Sequence, residues 1–402
     1  MKTAVSLLLV ALVSLSLSFC QAAKPAGKAE AKAPQQAGNQ PEKAQEQAAV
    51  PPFANDDIPV IDSHLHPISE IEQMPEFLKG MQDTRIKAVN LVCIPGREKG
   101  TLLNLVALCC KAELPKRAYV FGGLLYDVPG GSAEEMDPAF QARQLWEAGC
   151  DGIKMIETKP TSWKRMKHRV DSEFYEKYFQ FLEEKQMPLV WHVADPWTYW
   201  QNPPPAYVKT GYGSGDFPPA DQIYGEVDHV MTRHPRLKVI FAHMYNMCFD
   251  IDRFTRFMER WPNVNVDLAP GSTQYVDMSK NPRAWREFFI RFQDRICFGT
   301  DNGPVTDPDV KEFRIQRRFL NTNDEFTGMR SDQVFRGLGL ARPVLEKIYQ
   351  KNFERIAGAT PRPINAAGVK RLSEQMRKYV EASTARAELE AQLKKIDAIL
   401  IH

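Results

Sequence analysis

Neither acidic nor basic residues prevail in this sequence. Its 402 residues set 52 lysines and arginines against 50 aspartates and glutamates, a net charge of +2. No basic stripe dominates the balance, which argues against a nucleic-acid surface. Phosphate-binding and dinucleotide-binding glycine motifs are absent, and so is the G-x-S-x-G turn of serine hydrolases. No serine or cysteine sits in a recognisable nucleophile context. There is no CxxC among the seven cysteines and no internal repeat. Beyond Cys20, six cysteines remain, Cys93, Cys109, Cys110, Cys150, Cys248 and Cys297. Cys93 and Cys297 lie in apolar runs, so buried thiols are expected.

What is present begins with a leader. Lys2 precedes an apolar stretch, Ala4 to Phe19, too short to span a bilayer. Residues 1–22 read as a secretory signal, which predicts an exported protein, periplasmic or extracellular. Cys20-Gln21-Ala22 offers a small-x-small cleavage site and a soluble product. Leu17-Ser18-Phe19-Cys20 resembles a bacterial lipobox, which would lipidate Cys20 and hold the protein to a membrane, although Phe19 is bulky for such a box. Residues 23–57 are rich in Ala, Gln, Lys, Pro and Glu and read as a disordered tether.

From residue 58 to 360, short apolar runs alternate with amphipathic stretches. Strands are expected at Val60–His64, Ala88–Ile94, Tyr119–Leu125, Gly152–Ile156, Leu189–Val193, Lys238–His243, Val264–Leu268 and Ile296–Gly299. Helical spacing appears at Ala139–Ala148, Asp171–Lys185, Tyr224–His234 and Ile251–Trp261. Eight strands, each followed by a helix, imply a parallel sheet, and eight is the number that closes a (β/α)8 TIM barrel. A doubly wound open sheet is the alternative. It favours a glycine-rich turn after the first strand, where this chain has Ser63-His64-Leu65-His66-Pro67.

Two insertions follow the fifth and eighth strands, Asp195–Asp221 and Asn302–Asp332. The first holds Trp197, Tyr199, Trp200, Tyr207 and Tyr212. It is expected to cover a site, with Trp197 and Trp200 against substrate, or to pack as a flap on the barrel rim. Residues 361–402 read as a helical extension, with one long helix over Ala366–Leu400. Leu389, Leu393, Ile396 and Leu400 share one face, for a homodimer contact or for packing back on the barrel.

Of the eight histidines, His64, His66, His192 and His243 fall at expected strand ends, and Asp301 follows the eighth strand. In a parallel barrel those ends converge on one face. Residues two apart on a strand point the same way, so His64 and His66 can share one ion. With His192 and Asp301 they offer three nitrogens and one oxygen. That set suits Zn2+ and leaves room for water; Mn2+, Fe2+ and Co2+ can use it as well.

The segments "VIDSHLHP", "GIKMI", "LVWHVADP", "FAHMYN" and "CFGTDNGP" resemble the amidohydrolase superfamily. The resemblance is closest to the amidohydrolase-related branch that includes aminocarboxymuconate-semialdehyde decarboxylase and lactonases, and it covers about residues 58 to 358. The resemblance implies one divalent metal per chain on His64, His66, His192 and Asp301. It implies a catalytic or carbonyl-polarising role for His243, a second-metal ligand in binuclear relatives. Lys154 stands where binuclear members carry a bridging carboxylated lysine; here it is expected to bind a substrate carboxylate or to pair with an acid. Glu157 is a weaker candidate, Asp267 is expected to orient the site, and Asp195 to support it or cap its loop.

The function expected from this set is hydrolysis of a small polar lactone, ester or amide by a metal-activated water. Asp301 would shuttle the proton and His243 would stabilise the oxyanion. A non-oxidative decarboxylase is the alternative, because the same residues serve both chemistries. An inactive exported binding module would carry a degraded ligand set, whereas here every expected ligand is present.

Overall fold

Eight parallel strands follow one another around the molecule in chain order: β1 Val60–Leu65, β2 Ile86–Val92, β3 Ala118–Gly123, β4 Gly152–Thr158, β5 Leu189–Val193, β6 Val239–Phe241, β7 Val264–Asp267 and β8 Ile296–Cys297. This computed structural model describes residues 55–401 except 84–85, 97, 213, 271–272, 304–310 and 329–330. The expected leader, Cys20 and nearly all of the tether lie outside the described residues. Each strand pairs with the next. The ring closes between the first and last: Ser63 N donates to Phe298 O at 2.9 Å, Asp301 N to His64 O at 2.8 Å and His66 N to Asn302 O at 2.8 Å. The barrel is therefore the fold, and the open doubly wound sheet is not.

Side-chain alternation sorts the apolar residues into two layers. Ile61, Tyr119, Phe121, Val190 and Ile240 pack inside the barrel, where Phe353 and Ile356 from the helix Asn352–Ala357 join them. Their neighbours Val60, Val120, Leu189, Trp191, Val239 and Phe241 face outward, toward the surrounding helices. All six cysteines beyond Cys20 are buried free thiols, as expected from their apolar settings.

The helices stand where the spacing placed them, with ends set by capping. Pro138–Ala148 begins at Asp137, whose carboxylate accepts from Phe140 N at 2.9 Å, and stops at Gly149 in the left-handed region (φ 100°). The insertion after β8 carries the helix Lys311–Asn321 and the antiparallel pair β9 Glu325–Gly328 and β10 Ser331–Arg336.

The C-terminal extension is a hairpin of two helices, Ala366–Glu381 and Arg386–Leu400, and not one long helix. The break falls at Ala382-Ser383-Thr384-Ala385, where Ser383 Oγ takes Ala385 N at 3.1 Å in place of a helical carbonyl. Leu389, Leu393, Ile396 and Leu400 are buried within the chain, so the apolar face that could have joined a second copy is used here. Gly368 permits the contact: a Cβ there would meet Glu147 O at 2.1 Å.

The extension is locked to the barrel at the N-terminal end of β4. Lys111 and Asp151 form a buried ion pair at 2.6 Å. Asp151 also accepts from Val120 N at 2.7 Å and Arg362 N at 2.6 Å, while the Arg362 guanidinium lies 3.4 Å from the Trp146 ring centroid. Removing one partner of a buried pair leaves the other charge unpaired and usually costs about 3–5 kcal/mol. Asp151→Ala should therefore lower the unfolding free energy measured by urea denaturation by an amount of that order, with a matching fall in the midpoint. An unchanged midpoint would show that the pair contributes nothing.

Candidate metal centre

The strand ends bring the site residues to one face. His64 lies within β1, Lys154 in β4, His192 in β5 and Asp267 at the end of β7. His243 follows β6 by two residues and Asp301 follows β8 by four. Among the described residues, donor atoms of His64, His243 and Asp301 all lie within 4.8 Å of one another. His66 sits one contact away, its Nε2 donating to Asp301 Oδ1 at 3.1 Å. His192 sits one contact away on the other side, its Nδ1 3.1 Å from His243 Nε2. The compact set thus contains His243, expected beside the substrate, while His66 and His192, expected as ligands, flank it.

Backbone geometry explains how His243 arrives there. The sixth strand stops at Phe241, earlier than expected, and His243, Met244, Tyr245 and Asn246 all adopt positive φ, between 48° and 58°. Left-handed conformation costs an L-residue roughly 1–2 kcal/mol. Several contacts hold the turn: Asp267 Oδ1 accepts from His243 N at 2.9 Å, Asn246 Nδ2 donates to Val193 O at 3.1 Å, and the Tyr245 ring stacks on Phe257. Ala194 (φ 56°) and Asp301 (φ 53°) share this conformation, so strain gathers at the metal face.

Hydrogen bonds assign the tautomers. His64 Nδ1 donates to Asp267 Oδ2 at 2.8 Å, which makes its Nε2 the acceptor nitrogen, the one an ion would use in competition with Lys154. His243 Nδ1 donates to Ala269 O at 3.0 Å, and His192 Nε2 to Ala194 O at 2.9 Å. Carbonyl oxygens only accept, so in the neutral rings His243 Nε2 and His192 Nδ1 are the unprotonated nitrogens, and they turn toward each other. Burial, then the Lys159 charge, lowers His192 to about 3. Burial, then Lys154, lowers His64 to about 4. Imidazole nitrogens gathered beside a carboxylate, with their other ring nitrogens committed to oxygen acceptors, are the donor chemistry of a Zn2+-type site. The residues fit a divalent ion.

Asp301 completes the set. Burial would raise its carboxyl, but His243, His66 and His64 around it hold it well below the usual range. Its side chain keeps 26% of its surface, against 0% for His64, so it faces the open side. Lys154 Nζ donates to His64 Nε2 at 2.9 Å, and burial pulls its ammonium down to about 8.

Other residues fall outside the cluster. The Trp197 ring stacks on Phe249, and Trp200 Nε1 donates to Pro218 O at 2.9 Å, so both indoles are engaged in holding the rim. Glu157 is buried and accepts from Tyr126 Oη at 2.7 Å. Asp62 went unassigned in the sequence. It accepts from His64 N and Thr300 N, both at 3.1 Å, and from Thr300 Oγ1 at 2.6 Å, joining the backbone of His64 to the residue before Asp301. A carboxylate at the end of the apolar run Pro59-Val60-Ile61, two residues before His64, was the available signal, because a buried acid needs donors.

A sequence model of the amidohydrolase family matches residues 61–356, and the chain belongs to that family. Curated proteins contain no match to it. Solved structures similar to it include an uncharacterized TIM-barrel protein from Bordetella bronchiseptica (15% identity, 75% of this chain and 99% of that one, TM-score 0.47). A 2,6-dihydroxybenzoate decarboxylase from Rhizobium is 16% identical over 74% of this chain and 97% of that one, TM-score 0.45. A dihydroxybenzoic acid decarboxylase from Polaromonas sp. JS666, solved with bound manganese, is 13% identical over 74% and 96%, TM-score 0.44.

Asp267→Asn turns an amide N–H toward His64 Nδ1–H and removes the reason for that tautomer. Zn2+ affinity, measured by competition with a chromophoric chelator, should fall roughly 10- to 100-fold. Wild-type affinity in this variant would remove Asp267 from the ligand-orienting role.

Proposed function

We propose that this protein is a metal-dependent hydrolase that opens a small polar lactone, ester or amide. The nitrogens of His192 and His243 turned toward each other at 3.1 Å, with their other ring nitrogens committed to carbonyls, carry this reading, because imidazoles so oriented are ready metal donors. His64, His243 and Asp301 would hold the ion, with His192 and His66 beside them, and Zn2+ suits the donors best. Bound there, a divalent ion supplies a Lewis acid that acidifies a water and polarises a carbonyl.

The remaining work belongs to the chain. Asp301 turns Oδ1 toward His64 and His66, and a carboxylate in that position can accept the water's proton and return it to the leaving group. His243 lies among the donors, which leaves Lys154 as the buried group able to carry positive charge beside the reacting carbonyl or a substrate carboxylate. That placement of Lys154 also favours the second reading, a carboxy-lyase, whose substrate must present a carboxylate. With its leader-like residues 1–22, the enzyme would act outside the cytoplasm; among the described residues no helix is long and apolar enough to cross a membrane.

A metal assay paired with lactones, esters, amides and aromatic carboxylic acids tests the proposal. Hydrolysis should appear with added Zn2+ or Mn2+ and vanish with chelator, whereas CO2 release would replace the hydrolase by the lyase. Asp301→Asn keeps the shape but cannot take up a proton near neutral pH. It should retain much of the metal while kcat falls roughly 100-fold or more. His64→Ala should lose metal and activity together. Near-normal kcat in Asp301→Asn would exclude it as the base.

A further inference from the structure

We propose that the excursion between β5 and the helix Ala220–Arg233 is a positioning strap for the metal centre, in which Tyr212 acts through Asp195 to set the aim of His192 Nδ1. The proposal rests on the metal-dependent reading above and extends it to residues remote from the ligands.

The chain leaves β5 at Val193 and turns through Ala194 in the left-handed region. That turn brings Asp195 back over its own strand, with Oδ1 3.2 Å from His192 Nε2. The carboxylate is buried and serves three elements. Lys159, just beyond β4, donates to Oδ1 at 2.9 Å, and the Tyr212 hydroxyl donates to Oδ2. Tyr212 is itself only 1% exposed, enclosed by Tyr199, Trp200, Tyr207 and Phe217 at ring-centroid distances of 5.4, 5.7, 6.1 and 4.6 Å. The hydroxyl is delivered to Asp195 by packed rings, and the aromatic content of this loop has that use whether or not substrate touches it.

The consequence runs toward the metal. With His192 Nε2–H committed to Ala194 O and Asp195, Nδ1 is the nitrogen turned to His243. Loss of the Tyr212 hydroxyl leaves a buried carboxylate oxygen without its donor, and the carboxylate gains by rotating toward another. Rotation withdraws Oδ1 from His192 and frees the imidazole to turn. By linkage, an ion that fixes His192 also fixes Asp195 and the loop, and a seated loop strengthens ion binding by the same factor.

Tyr212→Phe removes the hydroxyl and keeps the ring. Two quantities are read in wild type and variant: Zn2+ affinity by chelator competition, and hydrogen exchange across residues 198–212 with and without Zn2+. In wild type, Zn2+ should slow exchange in the loop. In Tyr212→Phe, affinity should fall roughly 10-fold and the effect of Zn2+ on loop exchange should disappear, with the far-UV spectrum unchanged. A purely structural hydroxyl would leave Zn2+ affinity where it was; that result, with Zn2+ still protecting the loop, overturns the strap and leaves the metal reading standing. If wild type binds neither Zn2+ nor Mn2+, the metal reading falls and the strap with it. Should Tyr212→Phe misfold, Asp195→Asn is the second variant, with the same affinity loss expected and the same unchanged affinity overturning the proposal.

Discussion

The site depends on one buried carboxylate. Asp267, at the end of β7, places Oδ2 on His64 Nδ1 and Oδ1 on the backbone N–H of His243 and of Ala269. Burial opposes its charge, but His64, His243 and Lys154 hold its carboxyl below the usual range. An ionised acid without water must be satisfied by fixed donors, and here those donors include both histidines of the compact cluster. One contact sets the tautomer of His64. The other anchors the first residue of a left-handed turn that would otherwise relax.

That anchoring explains why strain collects where it does. Ala194, His243 to Asn246 and Asp301 all leave their strands through positive φ, at the C-terminal ends of β5, β6 and β8. A chain that continued as regular strand would carry its side chains past the axis; a left-handed step turns them back over the barrel mouth. The cost is offset by packing that allows no alternative, such as Tyr245 between Phe241 and Phe257 and its carbonyl beneath the Tyr224 hydroxyl. The opposite end of the barrel is differently made. There Lys111 and Asp151 are paired and buried against the half-buried Arg362, with no strained backbone among them, as befits a face concerned with holding the C-terminal hairpin in place.

Much of this was legible in the chain. Apolar runs of strand length, separated by stretches of helical period, identify the barrel because burial on both faces of a parallel strand leaves a local mark in composition. His64 and His66 meet at Asp301 as their two-residue spacing implies, since that geometry is local to one strand. The break in the C-terminal hairpin was less visible, because Ser383 and Thr384 disturb a helical pattern without ending it.

Which imidazole nitrogen faces which partner was not legible. Spacing places His192 and His243 at the barrel mouth, but their contact at 3.1 Å follows from the left-handed turn after Phe241, and that turn is anchored by Asp267 beside it on β7. The same holds for Tyr212 and Asp195, separated by seventeen residues and joined only when the rings of the loop pack. The amino-acid sequence by itself determined the barrel, the family and the face on which the site stands, because these depend on periodicity and on short segments. Tertiary structure alone decided which side chains gather there, the hydrogen bonds that orient them and the supports behind them. Those depend on partners far apart in the chain, whose meeting is set by closure of the barrel and not by any local preference.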